Sequence, residues 1–592
     1  MPSLELTNFN IVISVLGAWI SLYGLVSYLL KERFYLSEAP NNQGIVISLL
    51  SGVVASPHAT NFIRPLEYAL GSEENLDAIT LYFSRLVLGV QLVLAGVQLP
   101  SRYLKCEWKP LLILLGPVMI AMWLLTSLLV WGLVPSIPFL HALAIGACVT
   151  PTDPVLSNVI VKGKFADHNI PKELQKIIIA ESGANDGLGY PFLFLALYLI
   201  KYLGDGGHAE SGGGATAMGL WFGETWGYTI LLSVVYGAVV GWLAKEALHL
   251  AEDRKWVDRE SFLVFALSLA LFITGTCGLI GSDDVLACFI AGNVFTWDDW
   301  FRLETLDEYV MKPSSSLQPT IDMLLNVAIF MWYGAVCPWP KFLDNDVIPI
   351  YRLIPLGILV LLFRRPPVII GLHWWIRQIE DIRQAIFMGF FGPVGVSGVF
   401  YLYITLEFIK TLDQDGKARP DVARLAEMTT VIVWFIVICS VVVHGLSIPM
   451  GKLGFYLPRT LSFTITSPRD ESDERGAPSG FRGRVSGIFP RVAIGSGSRL
   501  NINAESTAID SRSGSIYTSS RIRGLATQSN GHISADEAMS GSIERLERET
   551  ERPTSPKLPN RTIRFPDDEL TTSLTPRPGV SGCDTPTKPG YG

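Results

Sequence analysis

The sequence has 592 residues, of which 49% are hydrophobic and 17% are charged, with a formal net charge of −7 at pH 7. Soluble domains carry roughly a quarter of charged residues, and here 18 of the 47 Lys and Arg lie within residues 455–592. This composition excludes an ordinary soluble domain and predicts a membrane domain over residues 1–454.

Apolar segments long enough to cross a bilayer recur through this first domain. A bilayer core needs about 20 apolar residues in helical form, because a helix satisfies every backbone group within one segment. The apolar run at 9–30 is too long for a signal-peptide core, so it is interpreted as the first helix. We predict thirteen spans, at about 9–30, 43–59, 77–99, 109–134, 138–161, 174–202, 218–248, 261–281, 283–297, 318–339, 349–376, 384–408 and 427–451.

Basic residues in the short loops indicate orientation, because cytoplasmic loops carry an excess of Lys and Arg. One alternating set of loops contains 17 basic residues, among them Lys105 and Arg377, and the opposite set contains 8, among them Arg64 and Lys410. The first set is therefore predicted to be cytoplasmic, with the N-terminus outside and the C-terminal tail inside.

The composition changes from about residue 455 onward to Ser, Thr, Gly, Pro and Arg without a sustained apolar period. Such a segment buries too little apolar surface to offset its ordering entropy. Residues 455–592 are therefore predicted to form a disordered cytoplasmic tail. Several Ser-Pro and Thr-Pro pairs, such as Ser467 and Thr575, are candidate phosphorylation sites for kinases or other regulators, or else chance pairs in a solvated tail.

The fifth predicted span contains a carboxylate between two prolines, in the run VTPTDPVLSN at 149–158. Pro151 and Pro154 each remove a backbone donor and clash with the preceding turn. A helix broken at mid-membrane is tolerated where it lines a cavity or is buried in protein, and its freed carbonyls can coordinate a cation. Thr152 and Asp153 lie at this break. The alternative is a simple proline kink.

The sixth predicted span contains four oxygen-bearing side chains on one helix face. Glu181 and Asn185 are four residues apart, as are Ser182 and Asp186, so each pair shares a face. Hard cations prefer carboxylate, hydroxyl and carbonyl oxygens. Burial disfavours the charged form of a carboxylate, which lets protons compete with cations. The alternative is a set of acids neutralised by basic side chains in a helix interface.

Several long motifs occur in an order that resembles one family. VTPTDPVLSN at 149–158, KGKFADHNIP at 162–171 and AESGANDGLGYPFL at 180–193 are similar to the fungal plasma-membrane Na⁺/H⁺ antiporters of the monovalent cation:proton antiporter family. GSDDVLACFIAGNVF, MLLNVAIFMWYGAVCPW and FFGPVGVSGVFY look like later signatures of that group. The resemblance covers about residues 10–455.

The resemblance implies an all-α polytopic membrane protein with about 13 transmembrane helices in two inverted repeats and two crossed broken helices. It also implies a secondary active antiporter that exchanges intracellular Na⁺ for external H⁺ by alternating access around a shared carboxylate site, with Li⁺ and K⁺ as further candidate cations. No cofactor is implied, and the expected assembly is a homodimer in the plasma membrane. Asp186 would be the principal exchanging carboxylate, together with Asp153. The implied cation ligands are Thr152, Asp153, Glu181, Ser182, Asn185 and Asp186. Asn185 resembles the electroneutral branch, although the stoichiometry stays open.

Interruptions in the later spans support two repeats. The twelfth predicted span reads FFGPVGVSGVF, with Gly392 and Pro393 inside an apolar stretch. Breaks at corresponding positions of two halves are a sequence indicator of a transporter site. If spans 1–6 repeat as spans 8–13, the fifth span corresponds to the twelfth.

Two adjacent arginines lie inside the eleventh predicted span. In related antiporters a buried Arg near this point holds the site acids in place, so Arg364 or Arg365 is expected to pair with Glu181. The alternative is that both extend toward the interface. Arg85 in the third span is similarly open, with an interfacial role favoured.

Other intramembrane polar residues allow two interpretations. Asp283 and Asp284 start the ninth predicted span and would form an external cation vestibule or cap a helix N-terminus, where acids are favoured. For Asp322 and His444 a satisfied packing role is favoured over a role in the site.

Two other classes of function compete with antiport. A channel would carry a filter ring or re-entrant loop, which the sequence does not resemble, and single-channel conductance would reveal it. A receptor with a transporter-like core would lack proton-driven cation flux. The sequence has no Walker-type loop, metal-ligand spacing or nucleophile elbow, so neither an enzyme nor a nucleic-acid-binding protein is expected. The expected partners are alkali cations, protons and the lipid bilayer.

Overall fold

The computed structural model describes residues 11, 14–22, 40–161, 170–204, 212–311, 317–412 and 419–465. Every regular element in these ranges is a helix, without strands. The principal helices are α1 (Pro40–Ala55), α2 (Glu73–Gln98), α3 (Trp108–Leu133), α4 (Phe139–Cys148), α5 (Pro154–Val161), α6 (Lys172–Gly187), α7 (Tyr190–Leu203), α8 (Gly213–Asp253), α9 (Arg259–Ile280), α10 (Asp284–Phe295), α11 (Trp300–Met311), α12 (Leu317–Val336), α13 (Ile350–Phe363), α14 (Pro366–Leu372), α15 (Ile382–Phe390), α16 (Val396–Lys410) and α17 (Pro420–Ile465). Single turns occur at Pro65–Tyr68, Tyr103–Cys106, Trp339–Phe342 and His373–Trp375.

Six helical segments of the described chain are long and apolar enough to cross a membrane. They are Glu73–Gln98, Trp108–Leu133, Gly213–Asp253, Ser261–Ile280, Ile350–Trp375 and Asp421–Ser447. Four shorter apolar helices accompany them, at Gly44–Ala55, Phe139–Cys148, Asp284–Phe295 and Thr320–Val336. The all-helical, polytopic fold predicted from the sequence is therefore confirmed.

Several predicted spans are shorter or interrupted in the structure. The fifth is divided into α4 and α5, and the twelfth into α15 and α16. The sixth is divided between α6 and α7, at the turn before Tyr190 and Pro191. Only 11 and 14–22 of the first predicted span are described, and they are helical.

The thirteenth predicted span is longer than expected. Helix α17 begins seven residues before the predicted start at 427 and continues to Ile465, past the predicted domain boundary at 454. Pro420 fits the first turn of a helix, where its missing N–H is not needed. The predicted tail lies outside the described residues from 466 onward, so the division into two domains stays a prediction.

The two broken helices meet at their breaks. The backbone N–H of Asp153 donates to the carbonyl of Pro393 at 2.9 Å. A Cβ added to Gly395 would lie 2.8 Å from Cγ of Asp153, closer than real Cβ contacts allow, so only glycine permits this approach. The prediction of two crossed broken helices is met by this geometry.

Each broken helix has a similar sequence context. The long apolar helix α3 precedes the first, and α13 precedes the second; α3 packs against both α4 and α13. Helix α6 follows the first and packs on α5, and α17 follows the second and packs on α16. This order agrees with two repeats.

Loops that were predicted to share a membrane side contact one another. Gln378 donates to Glu107 at 2.6 Å, and Arg377 donates to the same carboxylate. On the other side, Lys410 lies 3.4 Å from Glu74. The sorting of loops into two sets is consistent with these contacts, whereas the cytoplasmic assignment of one set stays a prediction.

The buried core surrounds the breaks, and the outer helices expose apolar side chains. Helices α5, α6, α10 and α16 are buried along most of their length. Helix α8 instead exposes large apolar side chains such as Phe222, Val239 and Trp242. Because lipid tails are as apolar as these side chains, such faces suit contact with the bilayer.

Candidate cation-binding site

The break between α4 and α5, called the first break, places the Asp153 carboxylate between two helix N-termini. Its Oδ2 accepts from the N–H of Leu156 at 2.8 Å in α5, and its Oδ1 accepts from the N–H of Ser397 at 3.1 Å in α16. Negative charge is stabilised at helix N-termini, where unpaired N–H groups and the helix dipole point outward. Asp153 therefore links the N-terminal ends of α5 and α16.

Helix α6 is attached to the same break by a reciprocal pair of hydrogen bonds. The amide of Asn185 donates to Oγ1 of Thr152 at 2.7 Å, and its Oδ1 accepts from the N–H of Thr152 at 3.2 Å. Both side chains are buried. The four-residue spacing predicted from the sequence thus places Asn185 and its neighbours toward the break.

Glu181 forms a buried, bidentate ion pair with Arg365. Both distances between the guanidinium nitrogens and the carboxylate oxygens are 2.8 Å, and each side chain is only 2% exposed. Nε of Arg365 also donates to the carbonyl of Met388 at 3.0 Å. Of the two candidate arginines, Arg365 is the one that contacts Glu181.

Arg364 binds backbone carbonyls at both breaks. Its guanidinium donates to the carbonyls of Val149, Thr150 and Pro151 after α4, and to that of Gly392 after α15. These carbonyls lie at helix C-termini, where positive charge is stabilised. Asp153 lies at helix N-termini and Arg364 at helix C-termini, so the two charges compensate opposite ends of the helix dipoles.

Asp186 has two unpartnered carboxylate oxygens, whereas Asp283 has one, Oδ2, among the described residues. It is 1% exposed, and neither oxygen has a hydrogen-bond partner in the described part of the chain. The charges of Asp153 and Asp283 repel its charged form, and the side chain of Ser397 lies near its carboxylate. Its backbone carbonyl accepts from the hydroxyl of Tyr401. An unpaired buried carboxylate is costly, and a proton or a cation would remove that cost.

The two acids of the ninth predicted span have different partners. Oδ1 of Asp283 accepts from the N–H of Val285 at 3.0 Å and of Leu286 at 3.1 Å, which caps α10. A Cβ added to Gly187 would lie 2.9 Å from its Oδ2, so this acid lies beside the end of α6. Asp284 pairs with Arg85 at 2.8 Å. Asp283 therefore adopts the helix-capping geometry, and Arg85 contacts a buried acid.

Some polar residues near the breaks were not singled out from the sequence. The Oγ of Ser157, both amide atoms of Asn158 and the Oγ of Ser397 are buried without hydrogen-bond partners in the described ranges. Ser157 follows Asp153 by one helical turn, and this spacing was the available signal. Tyr401 ended a quoted motif, but no local pattern indicated its contact with α6. Ser182, which was singled out, donates to the carbonyl of Ile179 in its own helix at 3.2 Å.

Two broken helices that cross at buried charges define a class of helical membrane transport folds. Within it, the chain belongs to the family described as sodium/hydrogen exchanger, transmembrane, whose model matches residues 20–450. The resemblance inferred from the sequence motifs is thereby confirmed.

Individual relatives include fungal antiporters. The chain is 36% identical to "Na(+)/H(+) antiporter 2" from Zygosaccharomyces rouxii over 79% of its own length and 55% of that protein. It is 33% identical to the "Na(+)/H(+) antiporter" of Saccharomyces cerevisiae over 79% of its length and 46% of that protein. The chain thus spans about half the length of these relatives.

The fold is similar to a solved antiporter structure. The sodium/proton antiporter MjNhaP1 from Methanocaldococcus jannaschii matches 74% of this chain and 97% of its own, with a TM-score of 0.53 and 17% identity. At this identity the match shows a shared fold.

Proposed function

We propose that this protein is a secondary active antiporter that exchanges Na⁺ for H⁺ by alternating access, with Asp186 as the exchanging carboxylate. The observation that carries the proposal is the pair of unpartnered Asp186 oxygens at a fully buried position. Family membership and the names of the fungal relatives support the choice of Na⁺ and H⁺.

The other predicted ligands have defined supporting contacts. Glu181 is neutralised by Arg365, and Asn185 and Thr152 bond each other. Asp153 accepts one backbone bond on each oxygen, which leaves lone pairs for a cation. In this proposal Asp186 provides the charge, Asp153 and Thr152 contribute further oxygens, and Glu181, Ser182 and Asn185 keep the geometry.

Competition between the two ions follows from burial. A desolvated carboxylate favours neutralisation, and both a proton and a cation need the same oxygens. One ion must therefore leave before the other binds. Alternating access then requires that the occupied site opens first to one side and then to the other.

Finer features are part of the same proposal. Li⁺ and K⁺ are further candidate cations, and cation detoxification and pH homeostasis are the expected physiological roles. We place the protein in the plasma membrane, with the N-terminus outside and the tail cytoplasmic, as a homodimer in which the tail binds kinases or other regulators. Helix α8, with its exposed apolar face, is available for the bilayer or a second protomer.

The direct test is exchange in liposomes that contain the purified protein. Asp186→Asn keeps the shape of the side chain but removes its charge, so Na⁺/H⁺ exchange should be lost while the protein stays folded. Asp344→Asn, in an exposed loop, is the matched control and should exchange as the wild type does. Exchange by Asp186→Asn at the wild-type rate would refute the assignment.

Calorimetry separates a shared site from separate pathways. If protons and Na⁺ compete at Asp186, apparent Na⁺ affinity should fall as pH falls, approaching about tenfold per pH unit, with proton release on binding. Transport should then have a bell-shaped pH dependence, because protons outcompete Na⁺ at low pH and become limiting at high pH. If Asp283 or Asp284 carried the proton instead, Na⁺ binding would be nearly independent of pH and would release no protons.

A further inference from the structure

His444 on α17 lies beside the break between α15 and α16, which is called the second break. Its ring is buried, with Nε2 at 2.9 Å from the carbonyl of Phe390, the last residue of α15. One turn earlier, Oγ of Ser440 accepts from the N–H of Val394 at 2.8 Å, two residues before α16. Nδ1 of His444 lies 3.1 Å from Oγ of Ser440. The two side chains together thus contact the break before and after its turn.

A neutral ring with its proton on Nε2 satisfies these contacts. A carbonyl oxygen can only accept, so Nε2 must carry a proton to bond Phe390. Nδ1 then is an acceptor and takes the hydroxyl proton of Ser440, whose oxygen accepts the N–H of Val394. Every donor in this chain has an acceptor while the ring is neutral. A second proton on Nδ1 would prevent the hydroxyl from donating to it and would direct Nδ1–H to the carbonyl of Ser440, at 2.8 Å.

The charged groups that face the ring are Arg364 and Arg365. Arg365 is paired with Glu181, whereas Arg364 is bound to carbonyls. A cationic imidazolium beside them would be repelled. The ring of Phe390, with its centroid 5.2 Å away, covers another side of the imidazole. A proton added to His444 therefore perturbs both the hydrogen-bond chain and the adjacent arginines.

We propose that His444, as a neutral ring protonated on Nε2, is a positioning residue that holds the second break in shape, and that proton uptake by His444 loosens this break. The inference rests on the proposed exchange function. The held segment supplies the Gly392 carbonyl to Arg364, the Pro393 carbonyl to the N–H of Asp153, and the Ser397 N–H to its carboxylate. A shift of the segment would thus change the position of Asp153, and acidification would slow exchange beyond simple competition by protons.

The contacts of His444 and Ser440 with Phe390 and Val394, here called the clamp, can be tested independently of transport by hydrogen exchange and mass spectrometry. The full-length protein is followed at peptides spanning 388–398, between about pH 4 and 8, and the measured rates are divided by those of the unfolded chain at the same pH. Protection in the wild type should fall by about fivefold on acidification, since one lost hydrogen bond is worth about 1 kcal/mol. His444→Gln, whose amide can donate to Phe390 and accept from Ser440 without titrating, should keep its protection at all pH values.

Two further variants complete the test. Ser440→Ala should have low protection throughout, because the link to Val394 is absent. His373→Gln is the matched control, since this buried histidine faces the carbonyl of Ile370 in its own turn, and it should behave as the wild type does. If His444→Gln loses protection on acidification as the wild type does, or if Ser440→Ala is fully protected, the proposal is overturned.

Assays of Na⁺/H⁺ exchange in liposomes then test whether the clamp affects transport. Under saturating Na⁺, which suppresses direct competition at the site, the acid limb of the pH profile should be shallower in His444→Gln than in the wild type. Identical acid limbs would overturn the functional half of the proposal. A wild type that does not exchange at all would instead refute the proposed function, and the hydrogen-exchange result would still decide the clamp.

Discussion

Removal of one partner of the Arg365–Glu181 pair should destabilise the protein strongly. The change Arg365→Met leaves the Glu181 carboxylate without its two charge-assisted bonds at a position that is only 2% exposed. Breaking a buried pair in this way costs about 3–5 kcal/mol. The double change Glu181→Gln with Arg365→Met removes both charges, so its cost should be well below the sum of the two single changes.

A double-mutant cycle on the free energy of unfolding in mixed micelles measures this coupling. The bond from Arg365 to the Met388 carbonyl is lost in both the single and the double variant, so it cancels from the coupling energy. We expect a coupling of about 2–3 kcal/mol, within the range for residues in one network. The control is the exposed pair of Arg64 and Glu67, 44% and 43% exposed, where Arg64→Met should cost at most about 1 kcal/mol. Additive single effects at Arg365 and Glu181 would refute the reasoning.

Two further predictions concern the second break and the tail. Gly395→Ala would place a Cβ 2.8 Å from Cγ of Asp153, so it should lower the free energy of unfolding by about 1–3 kcal/mol and slow Na⁺/H⁺ exchange. Gly371→Ala is the control, because there is open space around Gly371. Equal effects of the two changes in the same unfolding assay would contradict the close approach of Gly395 to Asp153. Truncation after residue 465 should preserve exchange in vesicles, with at most a shifted pH dependence, and complete loss of exchange by a truncated protein that still folds would show that the tail belongs to the transport machinery.

Local chemistry made the broken helices predictable. Pro151 and Pro154 in one span, and Gly392 and Pro393 in another, are breaks that any helix must accommodate. The turn that separates α6 from α7 had a comparable signal in Gly189 and Pro191, but the apolar run across it concealed the interruption.

Contacts between residues that are far apart in the sequence could not be predicted from local sequence patterns. Arg364 and Arg365 are adjacent, and they lie in the bend between α13 and α14 rather than inside a helix. The backbone conformation at this bend, which the sequence pattern does not specify, decides which of the two contacts Glu181. The start of α17 was missed because hydropathy locates the apolar part of a helix, whereas its first turns contain Asp421 and Arg424. The roles of Ser397 and Tyr401 depend on how α16 crosses α5 and α6, which the spacing in one segment does not specify.

The bonds that join the two breaks also set an order of assembly during synthesis. Asp153 and the Ser397 N–H that binds it are 244 residues apart. At about 5–20 residues per second, the ribosome needs roughly 12 to 50 s to make the intervening chain. During that interval the first broken helix is already made, but its carboxylate lacks one backbone donor and its carbonyls lack Arg364. The nascent first half must therefore keep these groups hydrated, or shielded by the insertion machinery, until the second half arrives.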